Sequence, residues 1–159
     1  MIGQFCSRPI AGALPVYERA GVVVVSGSAS KAGLSASAPS VFDRTIVGDP
    51  DSTSWYTAVK SLPVDLAWQA AYQAAFGSPP PDYSDLYFDA ARLLLDRLQR
   101  VSRVVGGNLV VDRSALARAV RHTVDFPGVS CSITLDPATG DRVSDPAALA
   151  MCARSLSGS

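Results

Sequence analysis

The sequence predicts an α/β domain with a short, mostly parallel sheet flanked by helices. Three observations carry that expectation. Val22 to Val25 is a solid aliphatic run, and an apolar run without polar alternation marks a strand covered on both faces, as in a parallel sheet. A helical pattern precedes it and longer helical patterns come after it, the alternation of an α/β chain. Of 159 residues, 48% are hydrophobic and 18% charged, which suits one domain with a sizeable core.

Taken in chain order, Ile2 to Phe5 is a short apolar run, expected as a buried strand. A helix then begins at Ser7, with Pro9 in its first turn, Leu14, Tyr17 and Ala20 on one face, and Gly21 as its stop. Pro15 lies inside this pattern, where it removes one internal hydrogen bond. Val22 to Val25 is the second strand. Lys31 to Ser40 is rich in Ser and Ala and reads as a loop, and Val41 to Val47 reads as the third strand. Gly48-Asp49-Pro50-Asp51-Ser52 breaks the chain, with Asp49 and Asp51 as caps for the next helix. Trp55 to Leu62 and Asp65 to Phe76 have helical spacing. Beyond Gly77 and three prolines, Asp82 or Ser84 is expected to cap a long helix reaching about Arg103. A Gly106-Gly107 turn, a short apolar run and a helix from Ser114 to His122 capped by Asp112 come next. Val129 to Leu135 alternates as a strand does, and Asp136 to Asp141 is a turn that sends the chain back. The tail from Ser155 is polar and expected to fray. The domain is thus expected over residues 1–154, with a disordered tail over 155–159.

Charge and composition exclude several functions. Lys+Arg and Asp+Glu each number 14, so the net charge is zero. There is no basic cluster to grip phosphates, hence no nucleic-acid partner. The longest aliphatic run is far too short to span a bilayer, and Met1-Ile2-Gly3-Gln4 does not read as a secretory signal. With one histidine and no Cys-x-x-Cys pair, a zinc site is short of ligands, and no metal or other cofactor is implied. Cys6, Cys131 and Cys152 are open to two readings on spacing: buried small hydrophobes in a reduced protein, or two of them paired in an oxidising compartment.

In parallel sheets, ligands gather at the carboxyl ends of strands. Ser7 lies just past the first strand, and Ser26, Ser28 and Ser30 lie just past the second. Both sets therefore open at the same edge. Hydroxyls and strand-end backbone groups there, with a helix N-terminus after Ser7, suit a small carboxylate. Serines also populate loops and caps everywhere.

Several stretches resemble one family. They are Phe5-Cys6-Ser7, Pro15-Val16-Tyr17-Glu18-Arg19-Ala20-Gly21-Val22, Val25-Ser26-Gly27-Ser28-Ala29-Ser30 and Val41-Phe42-Asp43-Arg44-Thr45. Together they are similar to the periplasmic-binding-protein-like (type I) substrate receptors of branched-chain amino acid ABC transporters, the leucine/isoleucine/valine-binding type. Ser84 to Leu95 resembles the "Y-D-A" helix of that family, and Gly128 to Asp136 with Gly140 resembles the hairpin after it. The resemblance implies a Rossmann-like three-layer lobe with a C-terminal β-hairpin, amino acid transport as the role, an ABC permease as partner, and an extracytoplasmic location. It also assigns the ligand site. Ser7 would hold the carboxylate through its hydroxyl and N–H, Ser28 would offer its backbone carbonyl to the ammonium group, the Ser30 hydroxyl would join it there, and Ala29 between them would belong to the same ligand site. An exported family implies a Cys131–Cys152 disulfide with Cys6 free.

The chain departs from this pattern. Family members are much longer, and between Asp49 and Trp55 the sequence skips nearly all of the second lobe. Nothing corresponds to the family's first strands and helices. The expectation is a truncated, incomplete clamshell, not an enzyme, with weak amino acid binding or none. Three alternatives stand beside it: a small domain that dimerises through the exposed cleft face, a gene remnant without function, and a serine-dependent hydrolase. The last would need His122 as base, but there is no Gly-x-Ser-x-Gly elbow.

Overall fold

Val24 to Ser26 forms β1, with all three residues buried. The computed structural model describes residues 1–3, 6–47, 64–143, 147 and 150–152. The caps expected at Asp49 and Asp51, the helical pattern Trp55 to Leu62 and the polar tail lie outside the described residues. β1 pairs in parallel with β2, Phe42–Arg44. On its other side Ile2 bridges Val25, also in parallel. β1 is therefore interior to a small parallel sheet, and its neighbours account for the unbroken valine run.

The pleat of this strand divides the core. Val23 and Val25 face α3 (Ser84–Val101) and α4 (Arg113–Arg121), where they pack with Ala90, Leu93 and Val120. Val24 faces the other way, onto Ile10 and Leu14 of α1 (Ser7–Ala20) and onto Phe42. Helix, sheet and helices make three layers of an α/β lobe, and each buried Val, Leu or Ile contributes about 1.5–3 kcal/mol. Helix α1 runs through Pro15 and ends at Gly21, whose φ of 61° supplies the left-handed stop.

A second helix, α2 (Leu66–Phe76), is capped by Asp65, whose carboxylate accepts from Ala67 N–H at 2.8 Å. α3 differs from expectation at both ends. Neither Asp82 nor Ser84 caps it; Tyr83, at φ 67°, is its N-cap, and its side chain makes no capping hydrogen bond to the helix. It also stops at Val101, short of Arg103, because Ser102–Val105 extends as β3 and pairs antiparallel with β4, Asn108–Val111. The Gly106-Gly107 turn, both residues at positive φ, closes that hairpin. Asp112 caps α4 through Ala115 N–H at 2.9 Å.

β5 (Phe126–Gly128) and β6 (Cys131–Ile133) form a further antiparallel pair. The segment Asp136 to Asp141 then turns back, bridging Leu135 to Arg142. Leu135 and Arg142, at the two ends of this turn, are buried. Arg142 donates to Thr45 O at 2.9 Å, Ser130 Oγ at 3.0 Å and Ser130 O at 2.6 Å. Gly140 presses onto the Phe42 carbonyl. Cys131 and Cys152 form a disulfide with a Cα–Cα distance of 5.9 Å, and Cys6 is free.

Candidate functional site

The carboxyl end of β1 turns sharply at Gly27. A Cβ there would stand 3.0 Å from both the Tyr87 ring and the Tyr87 nitrogen, so only glycine lets the chain pass the start of α3 this closely. Ser26 then folds the turn onto itself: its Oγ accepts from Ala29 N–H at 3.1 Å and Ser28 N–H at 3.4 Å. Ser28 Oγ and the Tyr87 hydroxyl share a hydrogen bond of 2.7 Å. Burial, against the help of that bond, pushes the Tyr87 hydroxyl pKa above its ordinary value.

From the β2 side, Arg44 secures the same loop. Its Nη1 donates to Ala29 O and Lys31 O, each at 3.0 Å. Its other guanidinium nitrogens grip Asp141, which also accepts from Ser35 Oγ at 2.7 Å. From the α1 side, Ser7 Oγ accepts from Lys31 N–H at 3.2 Å. Ser7 is the first residue of α1, and Cys6 at the N-cap offers no side-chain bond to the helix. A hydroxyl that accepts one hydrogen bond still has its own proton to donate.

The structure thus brings Ser7 and the loop through Ser28, Ala29 and Ser30 to one edge of the parallel sheet. All four residues are buried. Among the described residues the Ser30 hydroxyl makes no hydrogen bond. The Ala29 carbonyl, by contrast, is already engaged by Arg44. His122 sits exposed at the C-cap of α4, and no hydrogen bond among the described residues joins it to Ser7 or Ser30. Asp125, its neighbour in sequence, donates its N–H to Thr134 Oγ1 at 3.0 Å. A Ser-His-Asp relay is not assembled among these residues. No group of three or more His, Cys, Asp or Glu able to hold a metal occurs among the described residues, and no helix there is long and apolar enough to cross a membrane.

Sequence reasoning missed Arg44, Tyr87 and Asp141. Asp43 and Arg44 inside an otherwise apolar strand are the available signal, since buried charges need partners. The partners themselves, far along the chain, have no local signature.

No family model matches the chain, and no curated protein matches it. Among solved structures, a leucine-binding protein, LivK, from Thermotoga maritima is similar at 23% identity and a TM-score of 0.41. The match covers 87% of this chain and 37% of that one, so the chain spans well under half the length of this neighbour.

Proposed function

We propose that this chain is a solute-binding lobe that takes the charged end of an amino acid, or a similar small carboxylate, at the corner formed by Ser7, Ser28, Ala29 and Ser30. The single observation that supports the reading most is the Ser7–Lys31 hydrogen bond of 3.2 Å. It draws the first turn of α1, with its N–H groups and partial positive charge, onto the loop that follows β1. The hydroxyl protons of Ser7 and Ser30 are then donors toward a carboxylate. The Ser28 carbonyl is the acceptor that this reading assigns to an ammonium group.

The resemblance of the sequence to branched-chain amino acid receptors supports the same chemistry, with an ABC permease as the implied partner. On this reading binding is weak. A single lobe covers one side of the ligand, so an aliphatic side chain gains little burial. Hydrogen bonds to the zwitterion compete with water and net about 1 kcal/mol each. Affinity for leucine then falls near the millimolar range or weaker. Calorimetry with leucine, isoleucine and valine, on the native chain and on Ser7→Ala, is the test. Millimolar binding lost in Ser7→Ala supports the reading. Binding unchanged by that substitution, or no binding at any accessible concentration, removes it.

A further inference from the structure

Helix α2 has a composition unlike that of the other helices. Its sequence, Leu66-Ala-Trp-Gln-Ala-Ala-Tyr-Gln-Ala-Ala-Phe76, contains no charged side chain, yet none of its residues is buried. Trp68, Tyr72 and Phe76 recur at every fourth position and form one aromatic stripe. The centroids of Trp68 and Tyr72 are 5.6 Å apart with planes inclined by 50°. Those of Tyr72 and Phe76 are 4.6 Å apart, inclined by 43°. Across the gap Phe88 of α3 meets Trp68 at 5.5 Å. These rings and Tyr87 line an open groove of about 660 Å³. Phe76 remains 69% exposed. An aromatic surface of this kind, uncovered among the described residues, is the mark of a binding face.

Charge identifies the occupant. Among the described residues, Asp82 is the only charged one lining the groove; it is exposed and forms no salt bridge with any of them. Inclined rings present faces with negative quadrupole, which attract cations. Phe88 already holds one, since the Arg92 guanidinium stands 5.8 Å from its centroid. Among the described residues no cation covers Trp68, Tyr72 or Phe76. We propose that the groove between α2 and the start of α3 binds a small organic cation with an apolar body, of the quaternary ammonium class. Trp68, Tyr72 and Phe76 supply the aromatic faces and Asp82 the countercharge. The groove shares none of Ser7, Ser28, Ala29 and Ser30; Tyr87, which lines it, connects it to the hydroxyl corner through its hydroxyl on Ser28.

The probe pair is choline and its uncharged carbon isostere, dimethylbutanol, titrated into the full chain. Binding is followed at the Trp68 indole N–H by NMR, assigned with Trp68→Phe. Choline shifts that signal with a dissociation constant on the order of millimolar, and dimethylbutanol binds about fivefold more weakly. Asp82→Asn and Tyr72→Leu each weaken choline by about fivefold at unchanged circular dichroism, whereas Ser7→Ala leaves it unaltered. Equal binding of the isostere, an unmoved Trp68 signal, or no effect of Asp82→Asn overturns the proposal. So does loss of choline binding in Ser7→Ala, which would place the cation at the hydroxyl corner. A dimer in sedimentation that Phe76→Ser dissolves would make a second copy the occupant and overturn it as well.

Discussion

Arg44 and Asp141 lie 97 residues apart and meet in a two-point ion pair, Nε to Oδ1 at 2.7 Å and Nη2 to Oδ2 at 2.8 Å. Arg44 is 2% exposed and Asp141 32%, so the arginine is the member that depends on its partner. The same guanidinium holds the carbonyls of Ala29 and Lys31. One side chain therefore joins the end of β2, the loop after β1 and the C-terminal hairpin.

Breaking this pair from the Asp141 side leaves a buried cation without compensation. Asp141→Asn is expected to cost about 3 kcal/mol, read as a lowered urea midpoint. Arg44→Lys keeps the charge but loses the fork that reaches two carbonyls and a carboxylate together. It is expected to destabilise by a comparable amount. A loss below about 1 kcal/mol for either variant, the range of an exposed pair, would contradict the buried geometry.

Asp43 sets a pH dependence. It is fully buried, its Oδ1 accepts from Arg121 Nε at 2.6 Å, and its Oδ2 has no hydrogen-bond partner among the described residues. Burial raises its pKa to about 6 against the attraction of Arg121, and the nearby Asp141 carboxylate adds to the rise. A folded-state pKa above the unfolded one means that the native chain binds more protons between the two values. Stability from this group is therefore fully present below about pH 4 and is lost as pH rises through about 6. The loss is on the order of 3 kcal/mol. Urea unfolding measured across that window should show this decline in the native chain and a flatter profile in Asp43→Asn. Parallel profiles would assign the titration elsewhere.

Two glycines are expected to respond oppositely to alanine. At Gly140, φ is 75° and a Cβ would meet the Phe42 carbonyl and stand 2.6 Å from Asp43 Oδ1. Gly140→Ala combines left-handed strain with a clash against backbone, and its cost is expected to exceed about 2 kcal/mol. Gly12 lies inside α1 with nothing within 4 Å of its Cβ position. Gly12→Ala should stabilise by about 0.5–1 kcal/mol. Thermal melts of the two variants side by side check the contrast, and a tolerated Gly140→Ala would refute the packing described for the hairpin.

The Cys131–Cys152 bridge spans a sequence separation of 21. A loop of that size is worth about 3 kcal/mol when closed. Reductant should lower the melting temperature of the native chain and leave that of a Cys131→Ala/Cys152→Ala variant unmoved. Thiol titration of the oxidised, unfolded chain should find one reactive group, Cys6. Three reactive thiols before reduction would mean that the bridge does not form.

Local pattern makes much of this fold legible. The Gly21 stop, the Asp112 cap and the Gly106-Gly107 turn each rest on neighbours in sequence and stand at their expected places, whereas the strand expected at Val22 to Val25 forms two residues later, as Val24–Ser26. The start of α3 is not legible in this way, because polar residues near a helix start are the usual signal. Here Tyr83 takes a left-handed conformation that has no composition signature. The helix also ends early, because Ser102 to Val105 finds a partner strand across the glycine turn. That pairing outweighs a helical pattern that would otherwise run on.

Periodicity and turn chemistry act over a few residues and can be read without a partner. From them come the α/β class, the interior parallel strand, and the expectation that Ser7 and the Ser28 to Ser30 loop open at one edge of the sheet. Long-range packing supplies the rest. It pairs Arg44 with Asp141 and Arg121 with Asp43, sets Arg142 among carbonyls, and hangs Tyr87 on Ser28. Among the described residues it also leaves the aromatic stripe of α2 without a buried residue. These outcomes depend on which buried charge meets which partner across the fold. That is set by the cost of desolvation in three dimensions, for which neighbouring residues in a chain carry no code.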